Sequence, residues 1–151
     1  MSQSLSMIYI HLVFSTKNRK PFLSDRALRN DMHAYLAGSL KKTKCVPVQV
    51  GGPEDHIHAL FELTRVLDIA ELTREIKRAS SVWAKEKSPT WRDFEWQSGY
   101  AAFSVSHSLT PKVKKYIETQ EEHHKKSSYQ DEFISLLKHH NITYDERYLW
   151  D

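Results

Sequence analysis

The hydrophobic residues of this chain change their period along its length, from two to about 3.6 and back, and that succession limits the folds open to it. Over Met7 to Phe14 two sets alternate, Ile8, Ile10, Leu12 and Phe14 against Met7, Tyr9, His11 and Val13, which predicts a half-buried strand. After Ser24, placed as the N-cap, Leu28, Met32, Tyr35, Leu36 and Leu40 recur at helical spacing. Val46 to Val50 and Ile57 to Leu63 read as two strands of a hairpin, joined across Gly51-Gly52-Pro53. A second helix starts from Asp68 as cap, with Glu71 in capping-box position and Ile69, Leu72, Ile76, Ala79 and Trp83 along one face. Gly99 to Val105 reads as a fourth strand.

The order strand, helix, strand, strand, helix, strand predicts an α+β fold with a ferredoxin-like antiparallel sheet (βαββαβ). Additional C-terminal helices follow. Thr110-Pro111, a cap followed by proline at the first helical position, opens one that runs to about Lys126; Phe133, Ile134, Leu136 and Leu137 mark a shorter one. The aromatic tail through Tyr144, Tyr148, Leu149 and Trp150 is expected to pack on the body. At 151 residues, without an internal repeat or linker, the chain is read as a single domain spanning 1–151. Its apolar start lacks a basic leader and a cleavage site, and no run reaches membrane-spanning length, so a cytoplasmic protein with no membrane partner is expected. The lone Cys45 excludes an intrachain disulfide and a cysteine zinc site, and is expected as a small buried hydrophobe.

The formal charge of +3 is unevenly spread: residues 1–50 hold 8 Lys/Arg against 2 Asp/Glu, whereas the remaining two thirds are slightly acidic. The excess gathers at Lys17, Arg19 and Lys20 and at Lys41, Lys42 and Lys44, which points to a polyanionic partner. Lys17, Arg19 and Lys20 are the candidate DNA-binding residues, with His11 a further candidate on the polar set of the first strand.

His56-Ile57-His58 lies on the third strand, where residues two apart project from one face about 6.6 to 7 Å apart. Ile57, Ala59, Phe61 and Leu63 form the face the helices cover, leaving His56, His58, Leu60 and Glu62 on the other. Two imidazoles so placed can converge on one metal ion. His11, on the neighbouring strand, can support that pair from behind. On the helix after Pro111, Tyr116 and Gln120 share one face, with His123 or His124 a turn further. The spacing leaves Gln120 and either histidine open as a third ligand, imidazole being the commoner one.

Together the His-x-His strand, the Tyr-x-x-x-Gln helix and the element order resemble the HUH-superfamily single-tyrosine transposases of the smallest bacterial insertion sequences, the IS200-like transposases. The resemblance extends through Ile10-His11-Leu12-Val13-Phe14-Ser15-Thr16-Lys17, Gly51-Gly52-Pro53-Glu54-Asp55-His56-Ile57-His58, Trp96-Gln97-Ser98-Gly99-Tyr100, Phe103-Ser104-Val105-Ser106 and Arg147-Tyr148-Leu149-Trp150. It implies that Tyr116 is the nucleophile and that His56, His58 and Gln120 bind a divalent ion. The implied reaction is metal-assisted cleavage and rejoining of single-stranded DNA at insertion-sequence ends through a 5′-phosphotyrosine intermediate. Two imidazoles and an amide suit Mg²⁺ or Mn²⁺ completed by phosphate oxygens and water. Lys112, Lys115 or the ion would supply the field that favours the phenolate. The expected partners are single-stranded DNA with hairpin ends and a second copy of the chain. The histidine face is left open by the first two helices, so a homodimer with active sites shared between chains is expected. Two other classes fit less of the pattern: an inactivated relative that only binds DNA or RNA hairpins, and a small metal-dependent hydrolase.

Overall fold

The computed structural model describes residues 2–151. Its elements are β1 (Tyr9–Ser15), α1 (Arg26–Lys42), β2 (Val46–Gly51), β3 (His56–Glu62), α2 (Ile69–Lys87), β4 (Ala101–Val105), α3 (Thr110–Glu118), α4 (Gln120–His123) and α5 (Tyr129–His139). The four strands form an antiparallel sheet in the order β2-β3-β1-β4, so the ferredoxin-like arrangement is present and the additional helices follow it. β1 pairs with both β3 and β4, which puts Val13 opposite His58 and Ser15 opposite His56.

The period-two pattern of β1 and β3 sorts the sheet into two differently filled faces. Ile10, Leu12, Phe14, Ile57, Ala59 and Phe61 pack beneath α1 and α2 with Met32, Leu36, Leu40, Leu72 and Ile76, and Trp91, Phe94 and Trp96 complete this layer. Cys45 belongs to it as a buried hydrophobe. On the opposite face Val13, Ala101 and Phe103 meet Tyr129, Phe133 and Leu137 of α5, with Leu149 and Trp150 of the tail packed against them. Tyr148 of the tail points outward, 66% exposed. In the single chain this second face is covered by the C-terminal helix and tail.

Three local expectations are corrected. Asp25, not Ser24, caps α1: its carboxylate accepts from Leu28 N–H at 3.0 Å, while Ser24 N–H is held by Pro21 in the preceding turn. Thr110 does not cap α3, because a 3₁₀ turn at His107–Leu109 precedes it and the Thr110 hydroxyl donates back to His107 O at 2.8 Å. The single helix expected to run to Lys126 breaks at Thr119 (φ −102°, ψ 19°). There the hydroxyl of Thr119 donates to the carbonyls of Lys115 and Tyr116, competing with the helical ladder.

Docking of α3 on the sheet depends on Gly51. A Cβ there would lie 2.9 Å from Ile117 Cγ2 and 3.1 Å from Ile117 O, so only glycine lets α3 approach the end of β2 this closely. Across the α3–α4 break, Arg29 and Arg26 of α1 pair with Glu121, and Arg29 also donates to Leu23 O at 2.9 Å. These contacts tether the segment that follows Tyr116 to the body of the domain.

Candidate metal centre and nucleophile

His56 and His58 are fully buried, although their strand face carries no helix from the first half of the chain. What buries them is α5 and the turn that follows α4. Nδ1 of His56 is bonded to Asp55 Oδ1 at 2.7 Å, which directs Nε2 inward, 3.3 Å from Glu132 Oε1. His58 is held between His11 Nε2, 2.8 Å from its Nδ1, and Glu132 Oε1, 3.0 Å from its Nε2. His124 presents Nε2 to the same Oε1 at 3.3 Å and to Gln120 Oε1 at 3.0 Å. One carboxylate oxygen thus faces three imidazole nitrogens.

His56, His58, His124 and Glu132 each offer a ligand atom within 4.8 Å of the others. A buried polar atom tests whether a cation suits them: Nε2 of His56 is enclosed without a properly aligned hydrogen-bond partner, while its Nδ1 is anchored by a carboxylate. Such anchoring is how a histidine is oriented toward a metal. Burial holds His58 down to about 4, so it is neutral at ordinary pH, its Nε2 donating to Glu132 and its Nδ1 accepting from His11. Burial also pushes the Glu132 carboxyl up, but hydrogen bonds from His124 and His58 and the approach of His56 outweigh it and keep the group ionised. Three imidazoles and one carboxylate are a fitting donor set for a divalent cation.

Tyr116 closes the cluster from α3. Its hydroxyl donates to Glu132 Oε2, and its ring lies edge-on to His58 with centroids 5.7 Å apart. Burial, then the charge of Glu132, raises the phenol above its ordinary range. The charged group beside the phenol is therefore this carboxylate, whereas Lys112 and Lys115 lie exposed on the helix. Tyr116 and Glu132 open onto a cleft of about 800 Å³ between α3–α4 and α5, with His123, Lys125 and Lys126 on its walls.

Of the residues singled out in the sequence, the structure brings together His56, His58, His11, His124 and Tyr116. Gln120 is buried beside them: its amide nitrogen donates to Tyr116 O, and its Oε1 lies 3.0 Å from His124 Nε2, the nitrogen that also faces Glu132, so its oxygen stands at the edge of the cluster. His123 packs against the Tyr116 ring and bonds to Thr119. His11 is 5% exposed and offers its ring nitrogen to His58. Lys17 and Lys20 lie at the surface near the end of β1, with Lys17 paired to Glu95 at 3.3 Å, and Arg19 sits over the Trp150 ring. Sequence reasoning passed over Glu132 and Asp55. Glu132 had a signal: it follows Tyr129 by three and precedes Phe133 by one, a carboxylate on the apolar stripe of α5.

Comparison with known proteins bears on this arrangement. No curated protein matches the chain. Among solved structures, a protein from Deinococcus radiodurans R1 described as a transposase is 23% identical, covering 80% of this chain and 98% of its own, with a TM-score of 0.60. A REP-associated tyrosine transposase, solved bound to a REP hairpin, is 14% identical, covering 82% and 74%, with a TM-score of 0.58. At these identities both speak for the fold. The family profile described as transposase, IS200 like, matches residues 4–120 and so takes in His56, His58, Tyr116 and Gln120 but ends before His124 and Glu132. On that match, which spans most of the sequence, the chain belongs to the IS200-like transposase family.

Proposed function

We propose that this protein cuts and rejoins single-stranded DNA with Tyr116 as its nucleophile, at hairpin-bearing ends of an insertion sequence. The observation that carries the reading is the contact of the Tyr116 hydroxyl with Glu132, the carboxylate that also faces His56, His58 and His124. Tyr116 Oη attacks the phosphorus, its proton passes to Glu132 Oε2, and the bond from phosphorus to the 3′-oxygen breaks. The products are a 5′-phosphotyrosine and a strand whose 3′-oxygen takes a proton from solvent; reversal with a different 3′-hydroxyl rejoins strands. Each step exchanges one phosphoester for another, so no nucleotide cofactor is needed. A bound divalent cation would stabilise charge on the reacting phosphate and leaving oxygen. His56, His58, His124 and Glu132 would hold it, with the Gln120 oxygen at the edge of the cluster as a further donor and Asp55 and His11 orienting the imidazoles of His56 and His58. Three nitrogen donors suit Mn²⁺ better than Mg²⁺. Lys125 and Lys126 line the cleft through which a single strand reaches the phenol.

That the structurally similar tyrosine transposase was solved bound to a REP hairpin supports a hairpin as the recognised feature. Within one chain Tyr116 reaches its own histidine cluster; a homodimer in which the helix bearing Tyr116 passes to its partner's cluster makes the same contacts between chains, and chain mixing separates the two.

The test is a denaturing gel with labelled hairpin oligonucleotides and Mn²⁺. A protein–DNA adduct should form with single strands, not with full duplex, and should vanish in Tyr116→Phe. Binding without any cleavage would indicate a hairpin-binding module, and cleavage without an adduct a hydrolase; either result overturns the proposal.

A further inference from the structure

Beyond His56 the chain builds a second feature that the cleavage chemistry does not use. At the end of β1, Asn18 and Arg19 both adopt left-handed backbone conformations (φ 54° and 55°), although neither is glycine. Such conformations cost roughly 1 to 2 kcal/mol per residue, so the turn must be held by its surroundings. It is: Lys17 N–H donates to Glu95 O at 2.8 Å, Arg19 N–H to Thr16 O at 3.0 Å, and Thr16 Oγ1 to Lys20 O at 2.6 Å. The turn carries Asn18 to the wall of a cavity of about 370 Å³ and sets the Arg19 guanidinium 5.6 Å over the Trp150 ring. Gln97, Ser98, Glu95 and Asp151 complete the cavity with polar groups.

The Gln97 amide is fixed in orientation. Its oxygen accepts from Ser15 N–H at 2.7 Å and from Tyr129 Oη at 2.9 Å, and its nitrogen donates to Asp151 O at 3.2 Å. The cavity is tied to the metal centre through rings: Trp150 lies 6.1 Å from Tyr129, which lies 4.6 Å from His56. An indole face, a guanidinium that can share it and a rigid polar rim are the elements by which proteins hold unpaired bases.

We propose that this cavity takes an unpaired nucleobase of the single strand, stacked on Trp150, a short distance along the chain from the reacting phosphate. It rests on the reading of the protein as a single-strand DNA enzyme. Lys17 also lines the cavity and pairs with Glu95 at 3.3 Å, so donors and acceptors both face the space. The hydrogen bonds that hold the turn set Asn18 and Arg19 in place before DNA arrives, which lowers the ordering cost of binding.

The experiment places 2-aminopurine at successive unpaired positions of a hairpin oligonucleotide and reads its fluorescence with the full chain. One position should be quenched, and Trp150→Leu should restore that signal and weaken single-strand affinity about tenfold. Trp150 also packs on Phe133, so Arg19→Gly serves as a second variant. It removes the guanidinium and relieves the left-handed strain, and should weaken binding severalfold with unchanged or higher thermal stability. Failure of the wild-type protein to bind any single strand would remove the underlying functional reading. Binding with no quenched position, or with affinity unaltered in Arg19→Gly, would overturn the base pocket alone.

Discussion

Glu132 holds the centre of the site, since one of its oxygens faces three imidazoles and the other accepts from the nucleophile. Without a cation it neutralises the crowd of nitrogen atoms; with one it becomes a ligand, and its Oε2 stays beside the phenol. Glu132→Gln keeps the shape but removes the charge, and is expected to lower Mn²⁺ affinity at least tenfold, read from the free-ion signal in electron paramagnetic resonance titrations. Unchanged affinity would return the third ligand to Gln120. His11 acts on His58 from behind, through the 2.8 Å contact between their rings. Removing such support costs roughly 10- to 100-fold in metal affinity, so His11→Ala should fall in that range while His11→Asn, which keeps a polar group there, retains more. If His11→Ala instead weakened hairpin binding and left metal affinity intact, its place would be at the DNA.

Thr119 departs from helical geometry while the i to i−4 bonds of Thr119, His123 and His124 continue around it, and His124, two turns after Tyr116, reaches the cluster in a segment tethered by the pairing of Glu121 with Arg26 and Arg29. The approach of α3 to β2 at Gly51 sets the height of Tyr116, one residue before Ile117. Gly51→Ala is expected to destabilise the fold by about 1 to 3 kcal/mol through overpacking, and to slow adduct formation by displacing α3. Thermal melts and single-turnover adduct rates measure the two effects. Trimming the opposing side chain in Gly51→Ala/Ile117→Ala should recover part of the rate, since the cycle isolates that contact; no recovery would place the clash on the Ile117 main chain rather than its side chain.

At the scale of the whole molecule, burial of neutral histidines makes stability depend on pH. His33, packed beside Arg29 and away from the metal cluster, is lowered from 6.5 to about 4 by burial and by that arginine. The unfolded chain then binds more protons between those values, so stability rises with pH from about 4 to 6.5 and is lost as the pH falls through that window. His33→Gln should flatten that slope by on the order of 1 kcal/mol in denaturant melts at pH 4.5 and 7, and an unaltered slope would assign the acid sensitivity elsewhere. A monomeric site is tested by mixing His56→Ala with Tyr116→Phe chains: no cleavage should return after subunit exchange, whereas recovery would establish a site shared between copies. The strands, the first two helices, the ferredoxin-like order and the motif bearing His56, His58, Tyr116 and Gln120 were legible in the sequence, because period, turn residues and motif spacing are local properties of the chain. The expected cap at Ser24 missed by one residue, since neighbouring Ser and Asp both suit that role and the preceding turn chose between them. Glu132, Asp55 and the place of His124 were decided by tertiary structure alone. Glu132 lies 74 residues from His58 in the chain, and its partners meet it only once α5 folds over the sheet. A buried charge is favourable only when such distant donors meet it, and packing, not local pattern, brings them together.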